Sequence, residues 1–208
     1  QPDGSEIATA RQLAKDLGVE LELVQVTSPQ RIPALLAGRA DVAISSLSIT
    51  LARAQTVAFA NPHGALSIVI YGPERTQIRS AADMAGKRIG ITRATLEEAT
   101  VPPIAPQGTN IVFFDDIAAT IQALLSGQVD AAGMSAFAAK SVADRNPRAG
   151  LSNKFTVTTA FYAPALRPAD HELRQVVNTW IMLNKQNGVL AEIYQRYTGV
   201  ELVPLPQI

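Results

Sequence analysis

An α/β fold of two similar lobes facing each other across a cleft is predicted by three observations. Apolar, strand-like runs alternate with helical patterns along the whole chain, as expected of α/β layers with largely parallel sheets. A helix–turn–strand element then occurs twice. Ile32-Pro33-Ala34-Leu35-Leu36-Ala37-Gly38-Arg39-Ala40-Asp41 is echoed by Ile121-Gln122-Ala123-Leu124-Leu125-Ser126-Gly127-Gln128-Val129-Asp130, with six of ten positions identical and each pair 89 residues apart. That period is too long for a solenoid and suits one copy per lobe. Finally, strand ends run into hydroxyl-bearing turns at Ser45-Ser46-Leu47-Ser48, at Thr92-Arg93-Ala94-Thr95 and at Ser135. Ligands of open α/β sheets sit beyond the carboxyl ends of strands, so facing lobes would bring these three loops together.

Composition narrows the function classes. Of 208 residues, 47% are apolar and 17% charged, which places the chain among globular proteins able to bury a core. Lys plus Arg and Asp plus Glu balance at 18 each, so nothing points to nucleic acid or an anionic membrane surface. Cysteine is absent, which excludes thiolate metal sites and cysteine nucleophiles. Two histidines, His63 and His171, argue against a His-rich metal site, and no cofactor motif is present. No apolar run approaches the length of a membrane span.

In chain order, Asp3-Gly4-Ser5 opens a helix with Ile7, Ala10, Leu13, Ala14 and Leu17 on one face, stopped by Gly18. Leu21 to Val26 alternates as a strand and Thr27-Ser28-Pro29 breaks it. The first repeat element follows, and then a strand over Val42 to Ile44. Thr56 to Phe59 reads as a strand ending at Asn61-Pro62, and Ala65 to Tyr71 as a longer one closed by Gly72-Pro73. The texture then restarts with a capping box at Ser80-Ala81-Ala82-Asp83 and a strand at Lys87 to Ile91. Another strand spans Asn110 to Phe114 ahead of the second repeat, and a helix runs from about Ser135 to Asp144. Lys154 to Thr158 and Phe161 to Leu166 return as strands. Helices at Ala169 to Lys185 and Val189 to Tyr197 precede a Pro-containing tail, Val203 to Pro206. Lobe one is therefore expected at residues 1–67 plus 164–208 and lobe two at 68–163, with crossover strands near 65–71 and 159–165.

The stretch Asp41 to Arg53 carries the first candidate site. A strand feeds Ser45, Ser46 and Ser48, a helix restarts near Thr50, and Arg53 lies one turn in. A helix start favours negative charge, and a guanidinium matches a carboxylate bidentately. The plain alternative is a strand, a serine-rich turn and a surface arginine. The repeat is what weighs against it.

At this point the sequence resembles the periplasmic solute-binding proteins of ABC importers, family 3, in the branch typified by polar amino acid receptors. The resemblance runs from Gly4 to about Pro204. It is carried by Ile32-Pro33-Ala34-Leu35, Gly38 with Asp41, Ser45-Ser46-Leu47-Ser48-Ile49-Thr50 with Arg53, Asn61-Pro62, Ala85-Gly86-Lys87-Arg88-Ile89-Gly90, and the final helices around Asn187-Gly188. It implies the two-lobed type II periplasmic-binding fold, or Venus flytrap, closing on its ligand about two crossover hinge strands. It also implies an extracytoplasmic receptor, periplasmic or lipid-anchored and monomeric, that hands a small amino acid or organic acid to an ABC permease in the membrane. Arg53 would clamp the ligand's carboxylate, with Ser46, Ser48 and Thr95 donating hydrogen bonds and Ser45, Leu96, Ser135 and Glu97 lining the site.

The departures are specific. The family places an acid for the ligand's ammonium where this chain has Ser135, so either Glu97 serves or the ligand is not an ordinary α-amino acid. Ser28-Pro29 stand where an aromatic is common, Leu96 where a hydroxyl is, and Ala94 where a glycine is. The helix-start signature appears as Gly4-Ser5-Glu6-Ile7-Ala8, without its aromatic or second acid. The resemblance further implies a first strand ahead of Gln1, interior to lobe one's sheet. An enzyme on the same fold, dehydratase-like, and a sensor ectodomain are the alternative functions. An enzyme would need a general acid or base in the cleft, for which Glu97 is the one evident candidate. Elsewhere, Glu97-Glu98 reads as a solvated face, His63 as a hinge-surface residue, and Arg93 as either a cleft or a solvated arginine. Asp41 and Asp130 read as strand openers, Trp180 and Phe137 as core, and Met134 as a core filler.

Overall fold

The computed structural model describes residues 2–207. In chain order they form α1 (Ser5–Leu17), α2 (Arg31–Leu36), α3 (Leu51–Ala54), β1 (Ala58–Phe59), β2 (Gly64–Pro73), β3 (Arg88–Thr92), α4 (Leu96–Thr100) and β4 (Asn110–Phe114). There follow α5 (Ile117–Ser126), β5 (Ala131–Ser135), α6 (Ala136–Arg145), β6 (Leu151–Tyr162), β7 (Ala165–Leu166), α7 (His171–Gln186) and α8 (Val189–Thr198). Contacts divide the chain into two units. Unit one holds Gln1–Val26, Gln30–Ala65 and Ala160–Ile208; unit two holds Thr27–Pro29 and Leu66–Thr159. Apart from the Thr27–Pro29 segment, the chain passes from one unit to the other inside β2 and again inside β6.

Unit one is mostly helical. Gly18 ends α1 at φ 67°, donating to the Lys15 carbonyl while the Val19 N–H reaches Ala14. This left-handed cap is one a glycine adopts without strain. Leu13 packs with Val177, Trp180, Ile181 and Leu190 of the last two helices, and the Trp180 indole donates to Asp16 at 2.7 Å. A second cluster gathers Leu35, Leu47, Val57, Phe59, Ala163 and Ala165.

The strands of this unit are shorter than their apolar runs. Thr56 to Phe59 pairs only at Ala58–Phe59, antiparallel to β7, and Val42 to Ile44 reduces to one bridge, Ala43 to Ala165. Leu21 to Val26 joins no ladder among the described residues and leaves Leu23 exposed. Alternation creates a strand only where a neighbour takes the backbone groups. Phe161 to Leu166 splits between β6 and β7 around Pro164, which has no N–H to give to a ladder.

Unit two carries a five-stranded sheet in the order β4-β3-β5-β2-β6. β3 runs parallel to β4 and to β5, whereas β2 pairs antiparallel to β5, Ile68 opposite Ser135 and Tyr71 opposite Ala132. The sheet is thus mixed rather than largely parallel. Helical crossovers through α4 and α5 permit the parallel pairs, but β2 reaches β5 without that constraint. Asp116 caps α5 by accepting the Ala119 N–H, and Gly127 ends it at φ 76°. Val69, Tyr71, Leu124, Val129, Met134 and Val142 form the core, with Met134 a core filler as expected. Asp130 opens its strand by accepting from the Arg88 backbone N–H and side chain, at 2.7 Å from Nη2. Asp41 accepts from the Arg167 side chain at 3.2 Å but opens no strand among the described residues, since Val42 to Ile44 pairs only at the Ala43 bridge.

Two outcomes follow from this packing. A methyl added at Gly64 would overlap the buried Tyr162 ring, so Gly64→Ala is expected to cost about 2–3 kcal/mol in urea unfolding. The Arg88 hydrogen bond holds the Asp130 carboxyl below its ordinary range, with burial opposing it. A depressed folded-state value stabilises above the unfolded carboxylate pKa and is lost as pH falls through the folded one. Asp130→Asn should therefore cost about 0.5–1 kcal/mol at pH 7, the low figure suited to a partly exposed pair, and that deficit should vanish in strongly acidic unfolding titrations.

Candidate functional site

In unit one the candidate residues share a single loop between the Ala43 bridge and α3. Ser46 stands at φ 50°, and its N–H donates to Glu6 Oε2 of α1 at 2.8 Å. Ser45 has a buried Oγ with no partner among the described residues, and its carbonyl accepts from Arg31 Nη1 at 3.1 Å. Ser48 is buried and bridges to Tyr162, and its carbonyl accepts from Arg53 Nη1 at 3.0 Å. Thr50 caps α3 by accepting the Arg53 N–H. A helix of four residues aligns too few dipoles to favour an anion, which corrects the helix-start part of the sequence argument. The charge in this loop is the Arg53 guanidinium.

Glu6 also lies 3.2–3.3 Å from Nε2 of His63 through both carboxylate oxygens. His63 is only 3% exposed and meets the Tyr162 ring edge-on at 4.9 Å. It is a buried partner of an acid rather than the hinge-surface residue expected. Burial first, and then the Glu6 charge, raise the Tyr162 phenol far above its ordinary range.

In unit two the parallel pairing of β3 and β5 places the Thr92–Glu98 turn and Ser135 at the same sheet end. Thr95 donates its hydroxyl to the Thr92 carbonyl at 2.6 Å. Leu96 and Glu97 are buried, the latter 7% exposed, so Glu97 is not part of a solvated face. A Cβ built at Gly133 would lie 3.7 Å from that of Glu97, which puts this acid beside the strand that ends at Ser135. Ser135 itself caps α6, its Oγ accepting the Ala138 N–H at 3.2 Å. Ala94 stands at φ 56° with its N–H on Glu98 Oε2 at 2.6 Å. Arg93 is half exposed, stacked on Phe113 and paired with Asp115. Among the described residues no group of His, Cys, Asp or Glu could hold a metal ion.

Sequence reasoning did not find Arg31 or the role of Glu6. Glu6 was visible as the surviving acid of a helix-start signature, but nothing in the sequence ties position 6 to position 46.

The fold has close counterparts among solved structures. An ancestral arginine-binding protein bound to glutamine superposes with a TM-score of 0.89 at 30% identity, over 95% of this chain and 88% of that one. An ancestral amino acid-binding protein, a precursor of cyclohexadienyl dehydratase, gives 0.84 at 28%, over 95% and 86%. The architecture is the type II periplasmic-binding fold. Among curated proteins, the L-cystine-binding protein of Escherichia coli (strain K12) is 28% identical over 207 residues, or 96% of this chain and 75% of that protein. The chain matches the bacterial extracellular solute-binding proteins, family 3, over residues 1–200 and belongs to that family. It is a solute-binding protein.

At Ala94 a left-handed backbone costs about 1–2 kcal/mol, of which glycine's extra unfolded-state entropy returns about half. Ala94→Gly should thus raise stability by about 0.5–1 kcal/mol, readable as a higher urea midpoint with an unchanged slope.

Proposed function

We propose that this solute-binding protein captures an α-amino acid or a close analogue and presents it to an ABC permease from the extracytoplasmic side, either in the periplasm or on a lipid anchor. In unit one Arg53 takes the solute's carboxylate, and the hydroxyls of Ser45, Ser46 and Ser48 add neutral hydrogen bonds. The observation that carries this reading is the Arg53 guanidinium, oriented by one N–H on the Ser48 carbonyl at the end of the hydroxyl loop. Charge-assisted bonds to a carboxylate contribute more than neutral ones, so the arginine dominates. In unit two we assign Glu97 to the solute's ammonium, with Thr95, Leu96 and Ser135 beside it. Its position in the Thr92–Glu98 turn, beside the strand that ends at Ser135, supports that role. That Ser135 already caps a helix is a further reason to look to Glu97 for the charge.

A receptor is favoured over an enzyme because the family is one of binding proteins. The dehydratase precursor among the structural counterparts is itself an amino acid-binding protein.

A thermal-shift screen of L-amino acids, their desamino analogues and small carboxylic acids tests the assignment. A solute at one hundred times its Kd should add about 2.7 kcal/mol of stability. Arg53→Ala should cut that shift to about 0.3–1.3 kcal/mol for every carboxylate, as follows from a loss of about 1.5–3 kcal/mol in binding. Glu97→Gln should narrow the preference for an amino acid over its desamino analogue while leaving carboxylate binding in place. If no amino acid shifts the folded wild type, the reading fails, and turnover of small carboxylic acids becomes the next assay.

A further inference from the structure

Ser46 lies on the carboxylate-binding loop in a conformation that side chains rarely adopt, and it is held there by a group outside the loop. Its N–H donates to Glu6 Oε2 at 2.8 Å, across 40 residues of sequence. Glu6 is in turn fixed by His63, whose Nε2 lies within 3.3 Å of both carboxylate oxygens. The other ring nitrogen, Nδ1, is buried with no partner among the described residues. Among the described residues the hydrogen-bonding and ring partners of the imidazole are the Glu6 carboxylate and the edge-on Tyr162 ring.

We infer that the Glu6–His63 pair is a positioning device for solute binding: it fixes the left-handed turn at Ser46 and thereby places Ser45, Ser48 and Arg53. The reasoning is geometric. A left-handed serine needs an external restraint to outlast the alternatives open to a short loop. Among the described residues the amide-to-carboxylate bond is the one long-range side-chain hydrogen bond on Ser46. Releasing it lets the Ser46 peptide rotate, which moves the Ser45 carbonyl and side chain on one side and the Ser48 carbonyl that seats Arg53 on the other. Neither Glu6 nor His63 needs to touch the solute.

This inference rests on the carboxylate reading of the loop, so its test has one arm that needs no ligand. In ¹⁵N-labelled protein without solute, the Ser46 amide proton should resonate downfield, as expected of a bond to a carboxylate. It should move upfield in Glu6→Gln and in His63→Phe. The phenylalanine keeps a ring against Tyr162 but cannot hold Glu6. His63→Gln retains a donor and should restore the resonance. In calorimetric titrations with L-glutamine, L-arginine and L-cystine, Glu6→Gln and His63→Phe should bind about tenfold more weakly than wild type, the scale of one lost charge-assisted hydrogen bond. His63→Gln should stay near wild type. A merely structural pair would lower the melting temperature while leaving the Ser46 resonance and the affinities unmoved, and that result overturns the inference. If none of the three solutes binds wild type, the carboxylate reading is what fails, and the Ser46 resonance alone decides the positioning role.

Discussion

A serine held left-handed by a distant glutamate is the constraint around which unit one's serine loop is arranged. The backbone cost at Ser46, about 1–2 kcal/mol, is offset by a bond from its N–H to a carboxylate that is itself partnered. Because of that turn, the three serines of the loop direct different groups. Ser45 keeps a buried hydroxyl, Ser46 gives its amide inward, and Ser48 gives its carbonyl to Arg53. The α1 helix, whose first turn supplies Glu6, is fixed in place by Leu13 in the core and by Asp16 on Trp180. Packing in one corner of the unit thus sets geometry at another.

Unit two reaches the same solution independently. Among the described residues two non-glycines have positive φ, Ser46 and Ala94, and both sit in turns that carry candidate binding residues. Each donates its amide to a glutamate, Ser46 to Glu6 from another element and Ala94 to Glu98 from the helix just ahead. Strained backbone is retained where its surroundings over-determine it, and such positions concentrate at binding sites. The two turns differ in reach. The glutamate on Ala94 lies four residues away in sequence, whereas the one on Ser46 lies 40 away and is brought there by the folding of the unit.

Much of the architecture was legible because its signals are local. The repeat, its glycine caps, the Ser80–Asp83 capping box and the faces of the last two helices all appear as the sequence implies. Periodicity could not tell which apolar runs would find a partner, so Val42 to Ile44 and Leu21 to Val26 read as strands although pairing is a tertiary property. The candidate hydroxyls could be located but not their occupations. Ser135 as a cap and Thr95 as a donor to Thr92 depend on where each chain segment turns. His63 was the hardest to read, because two residues 57 positions apart carry no trace of each other in a single sequence.

The division of the chain has a consequence for the order in which it can fold during synthesis. Apart from the short Thr27–Pro29 segment, unit two is one uninterrupted stretch, Leu66–Thr159, and its sheet can close as soon as β6 has emerged. Unit one cannot. Its β1 needs β7, more than one hundred residues later, and its first helix needs α7 and α8 to cover Leu13. The N-terminal third of the chain, which bears the serine loop and Arg53, must therefore wait as an open segment while the later-made half matures. The part that emerges first is the part finished last, and its apolar faces are the ones left open in the meantime.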